Sequence, residues 1–318
     1  MASDHLKLEG RGGSADSVFR TMALAAGALV LAVLALIAIT TTHGAWPAFE
    51  EMGLSFFTTE RWAPNENVFG ALSFIYGTLV SSAIAIILAV PVSLGIALFI
   101  TQVAPHWLRR PVVYVLDLLA VIPSVVFGLW GALVLAPQLV GAYQWLADLF
   151  EPITVLNTVF DDPAQSGKSY MTAGIILAIM ITPIVTSLSR EVIDTTPPGE
   201  KEAALALGAT RWEMIRGAVM PHAAGGLVGA VLLGLGRAMG ETIAATLVIG
   251  GARGNINFNV FASGDSMPAT IASQWGESRG TYQAALLALA VTLFLLTILI
   301  NMGANSVVAR SMKRSRGT

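Results

Sequence analysis

Six long apolar segments constrain this 318-residue chain more than any other feature: residues 21–39, 71–100, 112–136, 171–189, 222–250 and 282–304. A helix rises 1.5 Å per residue, and about 20 mostly apolar residues cross a bilayer. Charged residues make up 12% of the chain, about half the share a soluble domain carries, and the mean hydropathy is +0.71. A soluble enzyme is excluded on these grounds. The pattern predicts an all-α membrane protein with six transmembrane helices between residues 21 and 305. The first segment is too long, and wrongly flanked, for a cleaved signal peptide.

The balance of charge narrows the function classes. The net charge of −2 offers no basic surface for nucleic acid. Cysteine is absent and the four histidines (His5, His43, His106, His222) are scattered, which argues against a metal centre. Lys and Arg crowd one set of connections: the tail 1–20, Arg109 and Arg110, the loop 190–221 and the basic tail 306–318. That set holds thirteen of them, and the opposite set holds four. By the positive-inside rule both termini are cytoplasmic. The outer connections are acidic, and one of them, 137–170, carries Tyr143, Trp145, Leu146, Leu149 and Phe150 at helical spacing. This predicts a helix lying at the headgroup level, where Trp and Tyr settle.

The loop 190–221 has its own local structure. Thr196 reads as an N-cap with Pro197 and Pro198 in the first turn, followed by strong helix formers from Glu200 to Leu207 and a left-handed cap at Gly208. Thr210 and Glu213 have the spacing of a capping box that starts a second helix, and Pro221 closes the loop.

Arg237 and Glu241 fall near the middle of the fifth apolar segment, four residues apart, which predicts one helix face for both. An arginine at the bilayer centre costs about 2.5–3.5 kcal/mol, so it faces protein or a watery path. A mutual ion pair would neutralise the two charges without explaining why either is there. The functional reading makes Arg237 an anion contact, because a planar guanidinium grips two oxygens of an oxyanion. Glu241 is then its resident counterion. Gly225/Gly229 and Gly236/Gly240 are spaced for close helix packing beside it. Asp117 lies nearer the cytoplasmic interface, where pairing or solvation accounts for it. Pro123, in Ile122–Gly128, is a possible hinge.

The loop string Glu202-Ala203-Ala204, Gly208 and Pro221 resembles the loop signature of bacterial ABC-importer permeases, with Ala218 and Met220 at two of its apolar positions. Phe74–Leu79, Asp117–Ala120, Ile122–Gly128 and Gly236–Thr242 extend the likeness: the chain resembles permease subunits of bacterial phosphate importers, the PstC type. The resemblance implies a type I importer fold in the bacterial inner membrane. It also implies a second permease (PstA type), two ATP-binding subunits (PstB type) and an extracytoplasmic phosphate-binding protein (PstS type). Glu202, Ala203, Ala204, Gly208 and Pro221 would couple to the ATPase, and Arg237 and Glu241 would line the substrate path. ATP and Mg would be held by the partner, since Gly167-Lys168-Ser169 has Asp162 where a P-loop needs its first glycine. A permease for sulfate or molybdate, or a self-sufficient secondary anion transporter, remains an alternative reading of the same residues.

Overall fold

The computed structural model describes residues 14–315; Lys7, Arg11 and Arg316, counted above, lie outside them. In chain order the helices are α1 (Ser14–Met52), α2 (Ser55–Thr58), α3 (Leu72–Leu98), α4 (His106–Val121), α5 (Ser124–Trp130), α6 (Ala136–Phe150), α7 (Thr154–Val159) and α8 (Tyr170–Asp194). They continue as α9 (Pro198–Ala206), α10 (Arg211–Met214), α11 (Met220–Gly240), α12 (Ile243–Val248), α13 (Met267–Gln274) and α14 (Thr281–Ser315). A two-stranded hairpin, β1 (Trp62–Ala63) and β2 (Val68–Phe69), sits between α2 and α3, with Trp62 opposite Phe69.

Six helical runs are long and apolar enough to cross a membrane: Asp16–Met52, Leu72–Val103, Ser124–Phe150, Tyr170–Asp194, Arg211–Gly240 and Thr281–Ala304. Three of them contain π turns, Phe99–Val103, Gly131–Leu135 and Ile215–Val219, and each ends two residues before a proline, Pro105, Pro137 or Pro221. Pro137 and Pro221 lie inside continuous helical runs, where a proline ring clashes with the carbonyl four residues back and a widened turn relieves the clash; Pro105 stands beyond the end of its run, which stops at Val103. Pro221 therefore does not close the loop as expected. It sits inside the continuous run Arg211–Gly240.

The middle of the bundle is α8. Its most apolar stretch is 61% buried, against 0% for α1. It packs along α3 and against α11, while α1 pairs with α14 at the periphery. The α3–α8 seam follows from small residues at four-residue spacing: Gly77, Ser81, Ala85, Ala89, Ser93 and Ala97 are all buried. On α8, a methyl group at Gly174 would meet the Ile84 side chain at 2.4 Å. Apolar surface gains little by leaving lipid, so close backbone approach between small residues drives this contact. Ala89→Leu should overpack the seam and cost about 1–3 kcal/mol, read as a lower melting temperature of the purified chain. An unchanged melting temperature would contradict the seam.

The third span differs from expectation. The hydropathy predicts it at 112–136, but the chain breaks at Ile122, whose extended ψ of 126° and capping position end α4, and Pro123 precedes α5. A residue before proline is pushed out of the helical region. Asp117 therefore lies on α4, outside the span. The residues expected at the headgroup level belong instead to α6, the second half of the third span. Tyr143 there is buried, 3.0 Å from Thr172 Oγ1 and stacked on Phe261.

At the end of α8 opposite α9, the segment between α12 and α13 folds back as a cap. The backbone N–H groups of Ser169, Tyr170 and Met171 donate to the carbonyls of Val248, Ala262 and Val260, which supplies the partners a helix start otherwise lacks. Ser169 Oγ accepts from Thr172 N as the N-cap of α8, and Gly167, at φ +68°, turns against the Ala136 carbonyl. Gly167-Lys168-Ser169 is thus a helix-start turn.

Candidate functional site

Two separate regions carry the residues singled out in the sequence. The first is the helical pair at the α9 end. Gly208 takes a φ of +87°, the left-handed value expected for it. Thr210 Oγ1 accepts from Glu213 N at 3.3 Å while Glu213 Oε2 accepts from Thr210 N at 2.8 Å, completing the capping box. The N-cap of α9 is Pro197 and not Thr196, which is buried one residue earlier.

No residue of α9 is buried. Ala204 rests half-buried on the cluster formed by Met214, Ile215 and Val219, and this fixes the helix on its base. His222 Nδ1 lies 3.6 Å from Glu200 Oε2, which ties α9 to α11. Above that base Glu202 and Ala203 are exposed, and among the described residues no hydrogen bond or ion pair engages the Glu202 side chain. Leu207 is 90% exposed and Trp212 65%. A braced helical pair bearing uncovered apolar side chains and an exposed carboxylate has the form of a contact surface.

The second region surrounds Arg237. Its neighbour Ala238 packs with Ala178 and Ile181, and Gly234 would meet Val185 if it carried a methyl group. These contacts set Arg237 at the level of the middle of α8. The Arg237 side chain is nevertheless exposed, on the same uncovered strip as Leu233 and Gly240. Among the described residues outside the helix's own adjacent turns, nothing comes within 4 Å of a Cβ built at Gly229, Gly236 or Gly240. The glycines that pack α11 on α8 are Gly226, against Val192, and Gly234, against Val185, while the expected pair Gly236/Gly240 is left open among the described residues.

Arg237 and Glu241 do not share a helix face. The helix ends at Gly240, and Glu241 is extended, with φ −69° and ψ 124°. Its Oε1 accepts from Ala244 N at 3.3 Å, capping the start of α12, and no salt bridge joins it to Arg237. The helix α12 that it caps lies against α5, where a methyl group at Gly128 would meet Ala244 Cα at 2.9 Å. Pro123 opens α5 and so helps set the position of α12. Among the described residues no salt bridge engages the Arg237 guanidinium, which stands in the apolar layer on an uncovered face.

A third polar feature escaped the sequence reading. In the cap, Arg253 Nε donates to Asp265 Oδ2 at 3.0 Å, and Asp265 is buried. Burial pushes the Asp265 carboxyl above its usual range, against the opposing pull of the Ser266 N–H and of Arg253. Arg253→Gln removes the cation and raises it further. A carboxyl whose folded pKa lies above its unfolded value stabilises the fold below the unfolded value, and that stability is lost as pH rises through the folded pKa. The variant should thus lose about 1–3 kcal/mol at about pH 8 and clearly less at about pH 5, followed by thermal melting. Equal losses at both would mean that Arg253 matters only for packing.

Five apolar spans around a sixth, the buried central α8, with a braced contact pair at one end, define a multi-pass membrane domain. Residues 89–314 match the family described as the binding-protein-dependent transport system inner membrane component, and the chain belongs to that family. It is 45% identical over 287 residues to the phosphate transport system permease protein PstC of Mesorhizobium japonicum, covering 90% of this chain and 87% of that one. The proteins of the same name from Xylella fastidiosa and Haemophilus influenzae are 41% and 37% identical, covering 91% and 90% of this chain and 89% and 90% of theirs. Among solved structures, a bacterial alginate ABC transporter in complex with an alginate-bound periplasmic protein matches with a TM-score of 0.55 at 19% identity, over 93% of this chain and 97% of that one. The inward-facing MetNI methionine ABC transporter matches at 0.52 and 16% identity, over 79% and 99%. These structural likenesses establish the type I ABC-importer permease fold.

Proposed function

We propose that this chain is the permease subunit through which an ATP-driven importer carries inorganic phosphate into the cell by alternating access. The observation that carries the reading is the 45% identity, along 90% of the chain, to a phosphate transport permease. Arg237 supplies chemistry to match: a guanidinium in the apolar layer that no salt bridge among the described residues engages, on a face those residues leave open. Lipid is a poor neighbour for that face. A second, homologous permease of the PstA type completes it, with Gly236 and Gly240 giving the room for close approach, and Arg237 then borders the path between the two. A single arginine under-neutralises a divalent anion, so a basic group from the second permease fits the same role.

The α9–α10 end faces the cytoplasm in this reading, as the distribution of Lys and Arg requires. There Glu202, Ala203 and Gly208 meet a PstB-type ATPase, present in two copies, which holds the ATP and Mg. A PstS-type binding protein delivers phosphate to the opposite, capped end. The test is labelled phosphate uptake in cells lacking the gene, with the wild-type chain restored and excess sulfate as competitor. Restored uptake indifferent to sulfate is expected. Suppression by sulfate would move the assignment to another tetrahedral oxyanion.

A further inference from the structure

A cavity of about 810 Å³ opens where the close of α3, the body of α4 and the close of α8 meet, and the Arg237 path does not use it. Its walls carry Arg109, Arg110 and Arg190 together with Asp117, Glu191 and Asp194. Three cations and three carboxylates share one cleft, yet among the described residues no salt bridge joins any two of them. Arg109 is committed to the carbonyls of Ala104 and Thr101, at 3.0 and 3.3 Å. The other five side chains make no hydrogen bond within the described chain, and all but the half-buried Arg190 are exposed.

The level of the cleft is set by the helices that form it. Val103 and Asp194 are the last residues of their membrane spans, so the cleft lies at the edge of the hydrocarbon layer, beside the lipid headgroups. Tyr114 lines it, and Tyr114, Leu118 and Val121 run exposed along α4. An aromatic at the rim with apolar side chains leading away is the pattern of a side chain row in contact with acyl chains. Basic pockets between membrane helices take anionic headgroups, but this one matches every cation with a carboxylate.

We propose that the cleft seats one phospholipid whose headgroup carries both a phosphate and a primary ammonium. Arg110 and Arg190 take the phosphate oxygens; Asp117 and Glu191 take the ammonium hydrogens. A headgroup with phosphate alone leaves the carboxylates unanswered and repelled. A fully methylated ammonium satisfies the charge but has no N–H to donate, so the two zwitterionic lipids are distinguishable.

The full-length chain in detergent, titrated separately with phosphatidylethanolamine, phosphatidylcholine and phosphatidylglycerol and read by native mass spectrometry, tests this. Phosphatidylethanolamine should bind about tenfold more tightly than either other lipid, the value of one charge-assisted hydrogen bond. Arg110→Gln with Arg190→Gln should weaken it by about tenfold or more. Asp117→Asn with Glu191→Gln should abolish the preference over phosphatidylglycerol. Arg110, Asp117 and Glu191 are exposed and Arg190 is half-buried, so unchanged melting temperatures are expected in lipid-free detergent. Equal binding of the three lipids, or binding indifferent to both double substitutions, would overturn the proposal. Displacement of phosphatidylethanolamine by millimolar inorganic phosphate would overturn it as well, and would assign the cleft to the free anion.

Discussion

Arg237→Gln should reduce phosphate uptake by about 10- to 150-fold while the chain still folds, inserts and assembles. The magnitude follows from losing hydrogen bonds between a charged donor and an oxyanion, worth about 1.5–3 kcal/mol. Glutamine keeps one amide donor group on a shorter side chain and loses the charge and the fork. The fold should tolerate the change because the side chain is exposed and no salt bridge within the chain depends on it. Arg237→Lys separates charge from geometry: a lysine keeps the charge but not the bidentate grip, so it should recover only part of the rate. Uptake at the wild-type rate in the glutamine variant, with the protein present at normal level, would remove Arg237 from the path.

The second large effect is at the other end of the molecule. Glu202→Lys should leave six spans inserted and the melting temperature unchanged, since α9 buries none of its residues. Reversing a charge at the centre of a protein contact costs several kcal/mol, so binding of the ATPase subunit should weaken by roughly two orders of magnitude. Transport-coupled ATP hydrolysis should fall with it. Co-purification of the ATPase with the tagged permease reads the first loss, and binding-protein-stimulated hydrolysis reads the second. A variant that keeps its ATPase and its stimulated activity would show that α9 is a connector without a coupling role.

These two sites were unequally legible in the sequence. The helical pair at α9 and α10 is written in local chemistry: Gly208 for the left-handed turn, and Thr210 with Glu213 for the capping box. Such signals act over three or four residues and survive whatever the rest of the fold does. The environment of Arg237 depends on where a helix stops, and apolar residues run on from 222 to 250 with little to mark Gly240 as an end. The stop is set by tertiary contact. Gly128 on α5 lets α12 come close enough to be held there, and Glu241 turns back to cap it.

The third span failed for a related reason. Hydropathy alone joins α4 to α5, although Ile122 before Pro123 carries a local break signal. Once α4 is detached, Asp117 leaves the membrane span and joins a charged cleft that no sequence window brings together. Glycine spacing misled in a similar way. The pair Gly236/Gly240 is spaced for packing, but among the described residues nothing lies within 4 Å of a Cβ built at either. The seam that does hold the chain together, from Gly77 to Ala97 on α3, has the same four-residue period spread over serine and alanine as well as glycine.

The central claim is ATP-driven phosphate import through this permease, and reconstitution tests it most directly. The permease is placed in proteoliposomes with its second permease and ATPase subunits, with the phosphate-binding protein on one face and ATP supplied on the face bearing α9. Labelled phosphate should accumulate against its gradient only when ATP and a hydrolysis-competent ATPase are both present. Accumulation without ATP, driven by an ion gradient through the permease alone, would contradict the account.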